Sequence, residues 1–158
     1  MIDIRVVSDL EDIQAARGIR YEVFVIEQQV PLVLEVDARD ALPDTIQVLM
    51  TIEGKPAGTG RLLPDHDHPG VVHVGRLAVL ERYRGQQLGA RLLAELEAEA
   101  IRQLTPDPSA GLISELSAQE YALDFYRKAG YETIGRERYL DAGIWHHDMR
   151  KTLITPVQ

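Results

Sequence analysis

The stretch Val71–Leu104, VVHVGRLAVLERYRGQQLGARLLAELEAEAIRQL, decides how this chain is read. Val71 to Leu80 is rich in β-branched and aliphatic residues, as a buried strand is. A basic loop follows, Arg82-Tyr83-Arg84-Gly85, and then the pattern turns helical. Leu88, Gly89, Leu92, Leu93, Leu96, Ala100 and Leu104 share one arc at helical spacing, and Arg91, Glu95 and Arg102 share the opposite one. The order is therefore strand, loop, helix, with the helix running from Gly85 to no further than Thr105, where Pro106 and Pro108 stop it. A helix start leaves backbone N–H groups without intrahelical acceptors and carries about half a positive charge, so a glycine-containing loop there suits an anion, phosphate above all. Many α/β proteins make the same connection with no ligand, and the loop alone leaves both readings open.

Upstream, Ile2 to Val7 alternates as a short strand does, and Ser8-Asp9-Leu10-Glu11 has the form of a capping box that starts a helix at Asp9. Ile13, Ala16, Ile19, Val23 and Phe24 lie on its inner arc, with Arg20 among them. A cation in that position is costly unless paired, which predicts an acidic partner among Glu27, Glu35, Asp37 and Asp40. Thr45–Ile52 and Ala57–Leu63 read as two strands joined by the four residues Glu53-Gly54-Lys55-Pro56, and Gly58 and Gly60 in the second point to close packing or a bulge. His66 and His68 alternate with carboxylates in a polar loop, a pattern more often a solvated surface than a metal site.

Downstream, Leu112–Leu116 is a further strand. Ser117-Ala118-Gln119-Glu120 reads as a second capping box before a helix through Phe125 and Tyr126 to Ala129, capped by Gly130. Tyr131–Tyr139 and Ile144–Leu153 are the last two strands. Together these elements predict an α/β (α+β) arrangement, a mixed and mostly antiparallel sheet with helices on both faces, in one domain over residues 1–158.

Three blocks carry a resemblance. Leu77-Ala78-Val79, four intervening residues, then Arg84-Gly85-Gln86-Gln87-Leu88-Gly89 resembles the acetyl-CoA signature of the GNAT N-acetyltransferase superfamily, R-x-x-G-x-G/A after a hydrophobic strand end. Gln87 stands where that motif has its middle glycine, so either Gln87 keeps a negative φ or the loop is remodelled. Arg20 to Pro31 resembles the R-x-x-V-F-V-x-E-Q-x-V-P opening of a group of small bacterial acetyltransferases in that superfamily. Ala118-Gln119 with Phe125-Tyr126-x-x-x-Gly130-Tyr131, and Ile144-x-His146-x-x-Met149, resemble that group's later blocks, with Trp145 in place of a proline.

The resemblance implies the GNAT fold, with the motif strand and the Leu112 strand splayed apart to admit acetyl-CoA. It implies that main-chain amides of Leu77, Ala78 and Val79 meet the thioester end, and that Gly85, Gln86, Gln87, Leu88, Gly89 and Ala90, with Arg84 and Gln119, hold the rest of the cofactor. It also makes Tyr126 the general acid toward the leaving thiolate. His73, four residues before Leu77, is a candidate base, because imidazole can accept a proton from an ammonium group near neutral pH; Glu27 and Glu115 compete for the role. Arg20, Glu27, Glu35, Asp37, Asp40, Arg61 and His146 are read as the acceptor side. An ion-pair network that orients the loop after the first helix explains the same charges. The acyl-homoserine-lactone synthases share the Arg20, Phe24, Glu35, Asp37, Asp40, Arg61 pattern but carry a tryptophan after the phenylalanine that this chain lacks. The expected activity is acetyl transfer to a primary amine, with a lactone-synthase-like enzyme or a silent CoA-binding protein as rivals.

Composition narrows the partners. The 158 residues hold 45% hydrophobic and 27% charged residues, as globular proteins do. Zero cysteines exclude disulfides, thiolate metal sites and a cysteine nucleophile. A net charge of −8 argues against nucleic acid as partner. Screening over about 8 Å leaves anion binding to local groups such as Arg82, Arg84 and Arg91. A small amine acceptor, no metal, no membrane and a cytoplasmic setting are the expectations, with a homodimer expected only at the level of the family.

Overall fold

The structure is a computed structural model and describes residues 1–135 and 137–158. Eight strands form one sheet in the order β1-β2-β3-β4-β5-β8-β6, with β7 paired to β8. The strands are β1 (Ile2–Val6), β2 (Ile46–Ile52), β3 (Lys55–Pro64), β4 (Val71–Val79), β5 (Leu112–Gln119), β6 (Glu132–Thr133), β7 (Tyr139–Asp141) and β8 (Ile144–Ile154). Every pairing is antiparallel except β4 with β5, the pair bridged by the long helix α3 (Leu88–Gln103). The mixed, mostly antiparallel sheet matches the sequence-based expectation.

Helices cover both faces because the strands alternate. Val48 and Met50 of β2 point into a core with Leu88, Leu92, Leu93, Leu96 and Ala100 of α3. Leu49, between them, packs with Ile19, Val23, Ala78 and Leu80 on the face covered by α1 (Leu10–Arg20). Two glycines let α3 approach β3. A Cβ added to Gly58 would lie 2.7 Å from Leu92 Cδ1, and one added to Gly60 would lie 2.6 Å from Leu96 Cδ1.

Several boundaries differ from the sequence reading for identifiable reasons. The cap of α1 is Asp9, whose carboxylate accepts from the Asp12 amide at 2.8 Å, not Ser8. Of two adjacent cap residues, the anion is favoured at a positive helix start. The hairpin between β2 and β3 turns on Glu53 and Gly54 alone, both at positive φ (50° and 78°), so Lys55 and Pro56 join the strand. Ser117-Ala118-Gln119 continues β5 rather than capping a helix, because the ladder with β8 runs on to Gln119 and His146. The helix that follows, α4 (Leu123–Lys128), is correspondingly short and has no side-chain cap; Gly130 beyond it has the positive φ (99°) expected of it. The strand expected over 131–139 is two short pieces, β6 and β7, and Arg136 within it lies outside the described residues.

α1 does not end at Arg20 but widens into a π-helical segment, Tyr21–Glu27, closed by the Gln28 amide on the Val23 carbonyl at 3.0 Å. π turns recur at functional sites. This one carries Phe24 and Glu27 and leads to the single-turn helix α2 (Leu32–Glu35).

Candidate active site

The site lies where the sheet comes apart. β4 and β5 pair from Val71–Ile113 to Val74–Leu116 and no further, although β4 continues to Val79 and β5 to Gln119. On its other edge β4 is bulged, because Thr59 pairs with Ala78 and Arg61 with Gly75. Arg76 takes a left-handed conformation (φ 50°) in the bulge, and Leu77 has no ladder partner on either side. A bulge re-aims side chains. His73 and Arg76, three residues apart and therefore on opposite faces of a regular strand, both line one cavity.

That cavity has a volume of about 700 Å³ and opens between the parted strands. Phe24, Gln28, His73, Leu77, Gln119, Tyr126 and His146 are in its wall. Tyr126 sits edge-on to Phe125 (5.0 Å between centroids) and to Tyr131 (5.9 Å). Burial pushes its phenol pKa well above the usual range, so the hydroxyl stays protonated at neutral pH. Tyr131 is itself fixed by Ser114 Oγ at 2.7 Å and Glu97 Oε2 at 2.9 Å, which holds the ring against which Tyr126 packs. Gln119 donates to Gln28 at 2.8 Å across the cavity rim. His146 is buried with its Nδ1 on the Ile144 carbonyl at 2.7 Å and its ring stacked on Tyr139.

His73 Nε2 lies 2.9 Å from Asp65. This hydrogen bond is the main reason the Asp65 carboxyl is held down to about 2. An ionised carboxylate accepts only, so the ring nitrogen facing it carries hydrogen and Nδ1 is the free position. Glu115, the competing base, is instead paired with Arg150 at 2.8 Å and is outside the cavity wall among the described residues.

Beside the parted strands, the loop before α3 presents its amides. Gln87 adopts φ 58°, ψ 27°, so it does not keep a negative φ; the backbone makes the left-handed turn that the glycine of the motif would make. Among the described residues, none of the amides from Gly85 to Ala90 has an acceptor within the protein. A Cβ added at Gly85 would meet nothing within 4 Å, whereas at Gly89 it would press on Phe125 at 3.2 Å, so α3 and α4 meet at Gly89. The set fits a diphosphate through main-chain N–H groups at a helix start.

Arg84 is engaged within the protein. Its guanidinium grips Glu27 through two hydrogen bonds of 2.6 and 2.8 Å and donates from Nε to the Val79 carbonyl at 2.9 Å. Glu27 is therefore a clamp on the loop, and it is not in the cavity wall among the described residues.

The acidic–arginine cluster divides. Arg20, 2% exposed, hydrogen-bonds Glu35 at 2.6 Å and forms an ion pair with Asp40 at 3.0 Å, which confirms that the cation on the inner arc is paired. Arg61 bonds Asp37 at 2.9 Å and Asp40 at 3.0 Å. Arg20, Asp37 and Asp40 stand behind the wall, while Glu35 and Arg61 reach it. Burial alone would raise Asp40, but hydrogen bonds from Arg20 and Arg61 outweigh it and hold the carboxyl below its ordinary value. Asp37 is also held below the carboxylate range: burial opposes the shift, and Arg39 and Arg61 overcome it.

Sequence reasoning missed Arg76, Asp65 and Gln28. A charged residue inside a strand reads as solvent-facing, and only the bulge brings Arg76 inward. Asp65 was hidden in a polar loop that reads as surface, and the partner of Gln28 lies 91 residues away.

With this geometry in hand, comparison with known proteins settles the family. The model of the acetyltransferase (GNAT) domain matches residues 13–153. The chain belongs to the GNAT acetyltransferase family. It is 34% identical over 142 residues to the uncharacterized N-acetyltransferase YjcF of Bacillus subtilis, covering 89% of this chain and 93% of that one. Among solved structures it resembles an acyl-CoA N-acyltransferase from Pseudomonas aeruginosa, at a TM-score of 0.83 and 30% identity over 96% of this chain and 99% of that chain. The CoA-dependent acyl-homoserine lactone synthase BjaI, solved with SAM and isopentyl-CoA, shares the fold at a TM-score of 0.73 and 18% identity, covering 97% of this chain and 84% of that one. At that distance the likeness concerns fold alone. The protein is thus an acyltransferase of the GNAT family, and no helix among the described residues is long and apolar enough to cross a membrane.

Proposed function

We propose that the protein is an N-acetyltransferase that takes acetyl-CoA as donor and a primary amine as acceptor. The parting of β4 from β5 beyond Val74 and Leu116, beside a helix start with free amides, is the observation that carries this reading. Amides from Gly85 to Ala90 bind the diphosphate of the donor, and the amide of Leu77, which lies outside both ladders, with that of Val79, stabilises the oxygen on which charge develops. Gln119 and Gln28 border the opposite rim.

Tyr126 is the general acid. Its phenol, kept protonated by burial, lies in the cavity wall and donates to the departing thiolate, whose anion the same desolvated setting disfavours, and the phenolate then recovers a proton from the newly acylated nitrogen. His73 is the base. Asp65 orients the ring through Nε2–H, and Nδ1 takes the proton of the attacking ammonium group. Arg20, Asp37 and Asp40 support the wall from behind rather than meeting the acceptor.

The test is calorimetric titration with coenzyme A, followed by thiol release from acetyl-CoA across a broad panel of amines. Tyr126→Phe should bind coenzyme A normally and lose about 10²- to 10⁴-fold in kcat. Unchanged turnover removes Tyr126 from the mechanism. Tight coenzyme A binding with no thiol release from any amine supports a silent binding protein instead.

A further inference from the structure

Resting on that reading, the structure assigns the acceptor class: we infer that it is an amine that also carries a carboxylate, held by Arg76. Among the described residues, Arg76 makes the fewest side-chain hydrogen bonds of the cluster arginines, one against two each for Arg20, Arg39 and Arg61. Arg61, whose Nε is also unpartnered, already holds two carboxylates. Of the five N–H donors of the Arg76 guanidinium, one at Nη2 bonds the Glu35 main-chain oxygen at 3.2 Å. Its Nε is buried with no hydrogen-bond partner among the described residues. Glu35 Oε1 is 3.5 Å from that Nε but is claimed by Arg20 at 2.6 Å, and Asp37 is 3.9 Å from Nη2 and already committed to Arg61 and Arg39.

The surroundings favour an incoming anion at this point. Four guanidinium groups, of Arg20, Arg39, Arg61 and Arg76, face three carboxylates, of Glu35, Asp37 and Asp40. Burial and the repulsion of Arg61 and Arg20 disfavour the charge on Arg76, and a carboxylate relieves both. The remaining acids of the cavity wall, Asp65, Asp67 and Asp141, belong to segments other than this cluster, and Asp65 is engaged by His73. A planar fork pairs with a planar carboxylate through two parallel hydrogen bonds. Arg76 immediately precedes Leu77, which has no ladder partner on either side and shares the cavity wall with it, so an acceptor held by Arg76 lies in the same cavity as the parted strands. The left-handed backbone at Arg76 is a conformation that side-chain-bearing residues rarely adopt, and with it the guanidinium lines the cavity.

The experiment measures thiol release with matched acceptors: α-amino acids, β-alanine and 4-aminobutyrate, each against its carboxamide or decarboxylated amine. The carboxylate member should have the lower KM by about tenfold or more in the wild type, as a charge-assisted pair supplies. Arg76→Gln should abolish that difference while leaving the neutral partner's KM, coenzyme A affinity and Tm close to wild type, and Arg76→Lys should restore part of it. A merely structural arginine would move both members of each pair equally, and that result, or a preference for the neutral amines, overturns the inference. Coenzyme A binding with no acceptor of either set turned over or stabilising the complex also overturns it. Failure to bind coenzyme A instead fells the acetyltransferase reading beneath it.

Discussion

Substituting Arg20 by Met and Glu35 by Gln, singly and together, measures how far the wall behind the cavity rests on one ion-pair network. Both side chains are buried, at 2% and 8% exposure, and their hydrogen bond is 2.6 Å. Glu35→Gln leaves Arg20 with Asp40 as its one carboxylate and takes from Arg76 its nearest one. Arg20→Met leaves Glu35 facing Arg76 at 3.5 Å and Asp40 facing Arg61 at 3.0 Å. Breaking one side of a buried pair costs about 3–5 kcal/mol, because the other charge stays desolvated. At about 2–4 °C per kcal/mol for a domain of this size, each single variant should melt roughly 6–20 °C below wild type. The double variant removes both charges at once, and Asp40 keeps Arg61. It should cost less than the sum of the singles, with a coupling of at least about 1 kcal/mol. Urea unfolding of the four proteins followed by circular dichroism yields the cycle. Single-variant losses that add to within about 0.5 kcal/mol would refute the claim that these residues act as one network.

Three further outcomes follow from features of the fold. Gln87→Gly should leave stability within about 1 kcal/mol of wild type and preserve coenzyme A affinity, since relief of the left-handed conformation and the flexibility of glycine in the unfolded chain oppose each other. Gln87→Val should weaken coenzyme A binding in the same titration, because a β-branched residue resists that turn. Gly60→Ala should lower stability by about 1–3 kcal/mol in denaturant unfolding, as the added Cβ falls 2.6 Å from Leu96 Cδ1, and Leu96→Ala in the same chain should soften that effect. Asp37 and Asp40 have carboxyl groups held below their unfolded values, so their contribution is complete above about pH 4 and is lost as pH falls through the folded values. Thermal scans should show a Tm that drops steeply below about pH 4, and Asp40→Asn should make that drop shallower.

The fold was legible where one period ran unbroken. The aliphatic run of β4 and the apolar arc of α3 specify strand, loop and helix, and Arg20 on the inner arc of α1 announced its buried acid. Local competition blurred the ends. Ser8 and Asp9 both qualify as caps, and Ser117 has a cap's pattern while lying in a ladder set by β8. The loop before α3 and the placement of Tyr126 on the helix that follows β5 were legible as positions, but not their conformations. Nothing in the letters Gly75-Arg76-Leu77 signals a bulge, because arginine has no preference for positive φ. The π-helical widening after Arg20 depends on one extra residue per turn, which helical periodicity cannot resolve. Pairings such as Arg84 with Glu27, 57 residues apart, are set by the closed fold and by no local rule.

The clamp between Arg84 and Glu27 ties the loop before α3 to the wall of the cavity. It joins the phosphate-facing loop to the segment that carries Phe24 and Gln28, and both partners are partly open to solvent, 40% and 35% exposed. An anion that draws Arg84 toward itself loosens the far wall, and whatever tightens that wall alters the hold on the anion by the same free energy. For a pair this exposed the linkage is at most about 1 kcal/mol. That corresponds to at most about a fivefold change in the hold on the anion.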